Sequence, residues 1–284
     1  MNSKAAILTE MGKPAPYRES TPLSVETVEI APPVAGEVLV EVGAAGLCHS
    51  DLSVIDGSRP RPMPMVLGHE AAGVVREIGS GVRGLEPGDH VVFSFLPMCG
   101  HCVPCASGRP VMCQAGAQAN ATGELLAGGT RFRARGESIH HHLGVSGFSQ
   151  FTVCAEESLV KIDSELPLST AALFGCAVMT GVGAVLNTAQ SAPGTSVAVF
   201  GMGGVGLASV IGATVVGANP IIAVDRIASK LELAKQVGAT HVIDASKQDV
   251  IAAIKQITKG GADSLETRDQ KILHESTRCA PVPV

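Results

Sequence analysis

The chain has 284 residues, 45% of them hydrophobic and 17% charged, with 33 glycines and a net charge of −5. That length suggests about two domains and can bury a core without disulfide staples. The composition disfavours a disordered chain or a coiled coil, and the acidic balance leaves no electrostatic footprint for nucleic acid.

No secretory signal opens the chain: Met1 to Glu10 lacks an apolar core of the required length. Arg131, Arg133 and Arg135 read as a solvated loop. From Leu166 to Val224 there is no Asp, Glu, Lys or Arg. Pro167, Asn187, Gln190, Pro193 and many glycines interrupt that run, so it reads as buried parallel strands and helices rather than membrane spans.

The first 165 residues read as mainly β. Strands are predicted over Glu37–Val42, Gly73–Gly79, His90–Phe93 and Phe151–Val153, and their Gly/Pro punctuation suggests a barrel-like domain. After Leu166 the pattern changes. A short buried strand is predicted over Ser196–Phe200, a helix over Val205–Val216, and strands over Ile221–Val224 and His241–Ile243. Ser229 with Glu232, and Ser246 with Asp249, resemble capping boxes opening two further helices, and Gly238 is a C-terminal cap. Val250, Ile251, Ile254 and Ile257 form one helical stripe. The order is βαβαβ and then a helix.

Four of the eight cysteines form a compact run, Cys99-x2-Cys102-x2-Cys105-x7-Cys113. Disulfides and an iron–sulfur cluster are rival readings. Nothing else suggests an oxidising compartment, and the last gap is longer than in bacterial ferredoxins. The preferred reading is a closed four-thiolate zinc site, which is structural because no coordination position is left for substrate. A second constellation is dispersed: Cys48-His49-Ser50-Asp51, then Gly68-His69-Glu70, then Cys176 in the uncharged run.

Gly201-Met202-Gly203-Gly204-Val205-Gly206 is G-x-G-x-x-G between a predicted strand and helix, and Asp225 ends the next strand 19 residues after Gly206. Glycines there permit a tight turn and close approach of a pyrophosphate, and the acid accepts hydrogen bonds from a ribose. A carboxylate repels a 2′-phosphate, which favours NAD over NADP.

Taken together, these motifs resemble the zinc-dependent medium-chain alcohol dehydrogenases, in order from about Lys4 to Ala262. Gly129 to Phe151, with His140-His141-His142-Leu143-Gly144, is similar to the long-chain, benzyl-alcohol and glutathione-dependent formaldehyde branches. The resemblance implies an α/β plus β fold: a GroES-like β-barrel catalytic domain over 1–177, then a partial Rossmann dinucleotide-binding domain over 178–284. It implies that Cys48, His69 and Cys176 hold a catalytic zinc and that Cys99, Cys102, Cys105 and Cys113 hold a structural one. Ser50 would pass on the hydroxyl proton, and Asp51 and Glu70 would orient the ligands. His49 would lie near the cofactor pyrophosphate. Gly201, Gly203, Gly204, Val205 and Gly206, with Asp225 and Lys230, would bind NAD. The substrate would be a primary or aromatic alcohol or its aldehyde, in a cytoplasmic protein whose relatives are homo-oligomers.

Two departures stand out. Ser53 occupies the position where some relatives carry a relay histidine. The visible cofactor sheet has about three strands, Ala262 to Thr267 looks like a damaged fourth, and the chain ends at Pro281-Val282-Pro283-Val284. The expectation from that ending is impaired turnover. The alternative to an active enzyme is a non-catalytic zinc- and nucleotide-binding remnant.

Overall fold

The computed structural model describes residues 1–266, in two units, Met1–Cys176 and a second from Ala177 onward. In the first unit the predicted strand at Glu37 runs on to Ala45, and its first four residues are buried. It lies inside a five-stranded antiparallel sheet of order Leu159–Ile162, His90–Phe93, Ala71–Ile78, Glu37–Ala45, Phe151–Ala155. Its register against Ala71–Ile78 slips between Leu39 and Val40 and again between Val42 and Ala44. Such bulges bend a strand and re-aim its end, here the end that leads into Cys48. A second group of five short strands closes a small barrel: Asn2–Leu8, Leu23–Ile30, Phe132–Ala134, Glu137–His141 and Met65–Val66. Ile7, Val28, Ile30, Val66, Phe132 and Ile139 fill its core.

The reading of Arg131, Arg133 and Arg135 as a solvated loop is corrected here. Phe132–Ala134 is a barrel strand, and Arg131 donates from Nε and Nη2 to the two oxygens of Glu37, each at 2.7 Å. Glu37 is fully buried, and a buried carboxylate needs a paired and hydrogen-bonded counter-charge. The partner lies 94 residues away, so local sequence gave no sign of it. Arg135 likewise pairs with Glu26.

The second unit holds a parallel sheet of order His241–Asp244, Ile221–Asp225, Val197–Phe200, Ser264–Glu266. Ser264–Glu266 pairs with Val197–Val199, so among the described residues the sheet has four strands rather than three. The order places the first strand beside both the second and the fourth, the arrangement that creates a topological switch point. The residues after Glu266, and with them Thr267, Cys279 and the Pro-Val ending, lie outside the described residues.

The uncharged run owes its composition to close packing. Helix Gly204–Val215 lies against helix Ala177–Gly183, where a side chain at Gly181 would collide with the Val205 carbonyl, and Ser209 Oγ donates to Gly181 O at 3.1 Å. No single helix among the described residues is long and apolar enough to cross a membrane.

Neither capping box forms. Helix Ala228–Gln236 begins before Ser229, and the Asp225 carboxylate accepts from Arg226 N and Ile227 N at its entry. Helix Val250–Thr258 is capped by Asp249, whose side chain accepts from Ala252 N, while Ser246 bonds to Asp244. Asp249, next to the helix start, takes the N–H group that Ser246 was expected to take, whereas helix Ala228–Gln236 starts with no side-chain cap.

Candidate metal centre and nucleotide loop

Cys48 is the residue just before helix His49–Ile55, His69 follows strand Met65–Val66, and Cys176 ends the turn Ala172–Gly175. Gly68 makes the sharp turn before His69: its φ is +91°, and a Cβ there would lie 2.6 Å from Phe148 N. These turns bring Cys48 Sγ and Cys176 Sγ to 3.9 Å, and the ligand atoms of Cys48, His69 and Cys176 all lie within 4.8 Å of one another. Two thiols and an imidazole converging from three segments match a zinc site with an open fourth position.

The imidazole is held from behind. His69 Nδ1 lies 3.2 Å from Asp51 Oδ1, which leaves Nε2 as its free ligand atom. The same oxygen accepts from Gly68 N at 3.1 Å, and His142 Nδ1 stands 3.1 Å from it. Asp51, His69 and His142 are all buried, and Asp51 Oδ2 has no hydrogen-bond partner. Burial pushes the Asp51 carboxyl up, but His142 and His69 pull it well below the ordinary carboxylate range. Cys176 and then His69 hold the Cys48 thiol far below its usual value. His69, despite burial, is raised to about 9 by Asp51 and Cys48. The Cys48 thiol and Asp51 carboxyl thus supply negative charge, and His69 gives up its proton when it ligates a cation.

Glu70 is buried with its carboxylate packed on Gly46, where a side chain would lie 2.8 Å from Glu70 Cδ. Ser50 is half-buried, and His49 is exposed. Ser53 Oγ donates to His49 O at 3.0 Å, a backbone bond in place of an onward relay. In the sequence His142 stands only within a branch signature, and its contact with Asp51 is invisible without the fold.

The four-cysteine run converges as well. Cys102 Sγ lies 3.4 Å from Cys105 Sγ and 3.9 Å from Cys113 Sγ, and all four sulfurs lie within 4.8 Å of one another. Backbone amides point at the sulfurs: Cys99 N and Gly116 N each reach Cys113 Sγ at 3.3 Å, and Cys102 N reaches Cys99 Sγ at 3.4 Å. Such donors stabilise thiolates. The amide of Cys105 leads in lowering Cys102 to about 6. None of the described cysteines is in a disulfide.

In the second unit the glycine loop links strand Val197–Phe200 to helix Gly204–Val215. Gly201 has φ +88°, and a side chain at Gly206 would strike the Gly201 carbonyl oxygen. Gly203 precedes the helix with no side-chain cap, which leaves the first backbone N–H groups for an anion. Asp225 Oδ2 accepts from Met202 N at 2.7 Å, so this carboxylate braces the loop. Burial raises the Asp225 carboxyl, but those amides and the nearby Lys230 charge bring it below its ordinary value. Gly201 to Gly206, Asp225 and Lys230 thus form one cluster.

Two families match the chain: Alcohol dehydrogenase GroES-like domain over residues 34–164 and Zinc-binding dehydrogenase over residues 204–267. An S-(hydroxymethyl)glutathione dehydrogenase from Synechocystis sp. is 44% identical over 266 residues, covering 93% of this chain and 70% of that protein. The crystal structure of benzyl alcohol dehydrogenase from Acinetobacter calcoaceticus superposes with a TM-score of 0.88 at 35% identity, over 100% of this chain and 77% of that one. Two solved relatives carry cofactor. A zinc-binding dehydrogenase from Sinorhizobium meliloti holds NADP (29% identity, TM-score 0.72, 93% and 69% of the two chains). An alcohol dehydrogenase from E. coli holds NADH (25% identity, TM-score 0.76, 98% and 74%). Ligand chemistry, loop geometry and relatives agree: the chain belongs to the zinc-dependent medium-chain alcohol dehydrogenase family.

Proposed function

We propose that this chain oxidises a primary or aromatic alcohol to its aldehyde with NAD, and runs the reverse reaction. The observation that carries this reading is the convergence of Cys48, His69 and Cys176 with an acid-backed imidazole. A zinc ion bound there supplies Lewis-acid polarisation of the hydroxyl, and bound NAD supplies the hydride acceptor. Ser50 takes the hydroxyl proton. Because Ser53 Oγ is bonded to backbone, Ser50 passes that proton to water or another base rather than along the helix. Asp51 fixes the ring of His69, and Glu70 packs behind the same turn. Cys99, Cys102, Cys105 and Cys113 hold a second zinc that ties the lobe together. His49, the glycine loop, Asp225 and Lys230 receive the dinucleotide. Domain limits of 1–177 and 178–284 fit this division of labour, and cysteines without a disulfide among the described residues favour a reducing, cytoplasmic setting.

Steady-state NADH formation by the purified chain with a panel of alcohols, with metal analysis of the same sample, tests the reading. Turnover on the order of 1–10³ s⁻¹ supports it. Zinc and NAD binding without turnover would identify the remnant instead. Asp225→Ala should raise NADP affinity relative to NAD, and wild type binding both equally would remove Asp225 from the ribose.

A further inference from the structure

The segment Ser94-Phe95-Leu96-Pro97-Met98 runs from the end of strand His90–Phe93 to Cys99, the first of the four lobe cysteines. One end of it packs on the centre formed by Cys48, His69 and Cys176. A Cβ at Gly175, the residue before Cys176, would lie 2.6 Å from Phe93 O. The Phe95 ring meets the His69 ring edge-on, with centroids 5.5 Å apart and planes at 87°. Phe95 thus joins His142, edge-on at 5.6 Å, and Asp51, on Nδ1, in holding the imidazole.

The other end belongs to the lobe. Helix Gln114–Thr122 starts at Cys113, whose sulfur accepts from Gly116 N at 3.3 Å. A side chain at Gly116 would strike the Pro97 carbonyl oxygen, so the first turn lies flush on the segment. One turn further on, Asn120 Nδ2 donates to Phe95 O at 2.9 Å. Asn120 is otherwise a poor choice for its place. Asn is a weak helix former, Asn120 is buried, and its Oδ1 has no hydrogen-bond partner among the described residues. A half-satisfied buried amide costs free energy that an apolar side chain of similar shape would not. What the amide supplies is a donor aimed at the backbone of the residue whose ring holds His69.

We propose that Asn120 is a positioning residue that couples the four-cysteine lobe to the metal centre of Cys48, His69 and Cys176, by fixing Phe95 against His69. The lobe holds Cys113 and the helix start, the helix holds Asn120, and Asn120 holds Phe95. The groups that orient a ligating imidazole tune the metal it binds. This deepens the function proposed above and rests on its reading of both cysteine groups as metal sites.

The test is cadmium NMR of the full chain loaded with cadmium, which reports a four-sulfur site and a site of two sulfurs and one nitrogen as separate resonances. Asn120→Leu keeps a branched side chain of similar length and removes the donor. It should move the two-sulfur resonance and leave the four-sulfur resonance in place. In competition against a chelator it should weaken zinc at the Cys48, His69 and Cys176 centre roughly two- to tenfold, the range of one buried hydrogen bond. Phe95→Leu should move the same resonance, and adding Asn120→Leu to it should move it little further, as expected of two residues acting through one contact. Loss of the lobe metal in Cys102→Ser should also move it, and should no longer do so in the Asn120→Leu background. An unmoved two-sulfur resonance with unchanged zinc affinity in Asn120→Leu overturns the proposal and leaves both metal sites standing. Loss of both metals together in that variant also overturns it, because Asn120 would then merely hold the fold. A wild-type chain without the two-sulfur, one-nitrogen resonance would overturn the metal centre itself, and the coupling with it.

Discussion

Replacing Asp51 with Asn keeps the side chain's size and removes its charge, and the structure specifies what is lost. Asp51 Oδ1 gathers Gly68 N at 3.1 Å and His69 Nδ1 at 3.2 Å, with His142 Nδ1 at 3.1 Å. An Asn carbonyl can replace that oxygen, but only as a neutral acceptor, and bonds to a charged acceptor are roughly twice as strong. Its amide nitrogen then falls where Asp51 Oδ2 stands, buried with no hydrogen-bond partner. An unsatisfied buried donor costs about 1–3 kcal/mol. Loss of the carboxylate also makes His69 a weaker donor to a cation, and removal of such supporting groups lowers metal affinity about 10–100-fold, which is ~1.4–2.7 kcal/mol. The assay is zinc competition against a chromophoric chelator, with urea unfolding of the metal-free protein alongside. Asp51→Asn should lose both zinc affinity and metal-free stability. Zinc affinity within roughly twofold of wild type, set against the 10–100-fold expectation, would refute the claim that Asp51 sets the basicity of His69.

His141 gives a pH prediction remote from any ligand atom. It is fully buried, its Nε2 accepts from Arg131 N at 3.0 Å, and burial, with Arg131 and His140 adding, holds it neutral down to about 3. Its folded pKa lies below the unfolded value of ~6.5, so this contribution is complete above that pH and is lost as pH falls toward about 3. Unfolding free energy should fall by up to ~1.4 kcal/mol per pH unit on this account, and a variant such as His141→Gln should show a flatter acid limb. An equally steep limb in the variant would contradict the assignment. Gly206→Ala places a methyl against the Gly201 carbonyl and should abolish NAD binding while zinc content stays at wild type. Retained NAD affinity would show that the loop yields. Cys102→Ser should release the lobe zinc and lower the thermal midpoint, whereas Cys176→Ser should remove one zinc and all turnover with little change in melting, since a closed site holds more structure together. Equal destabilisation by both would break that distinction.

Much of the site was legible because its chemistry is written in short spacings. The glycine loop, the four-cysteine run and the Cys48-to-Asp51 segment are local patterns, and each glycine that matters reports a local backbone demand, such as φ +88° at Gly201. The strands predicted in the first unit and the βαβαβ order of the second lie within a few residues of those observed, whereas the short strands of the small barrel, such as Asn2–Leu8 and Phe132–Ala134, and the helix His49–Ile55 carried no clear periodic signal. The capping boxes failed because Ser229 falls inside its helix, which starts at Ala228, and because Asp249, next to the start of the other helix, takes the N–H group expected for Ser246.

What local spacing determined by itself is the four-cysteine run, the change from a mainly β half to a βαβ half and the dinucleotide motif, because each depends on neighbours a few residues apart; the grouping of Cys48, His69 and Cys176 followed only from resemblance to the family. Only the tertiary structure decided the partnerships that cross the chain. Cys176 meets Cys48 across 128 positions, Arg131 neutralises Glu37 across 94, His142 leans on Asp51, and Ser264–Glu266 joins the cofactor sheet beside its first strand. Nothing in the local pattern selects such pairs. They are chosen because a buried charge or an open sheet edge is costly, and the fold brings in from a distance the group that removes the cost.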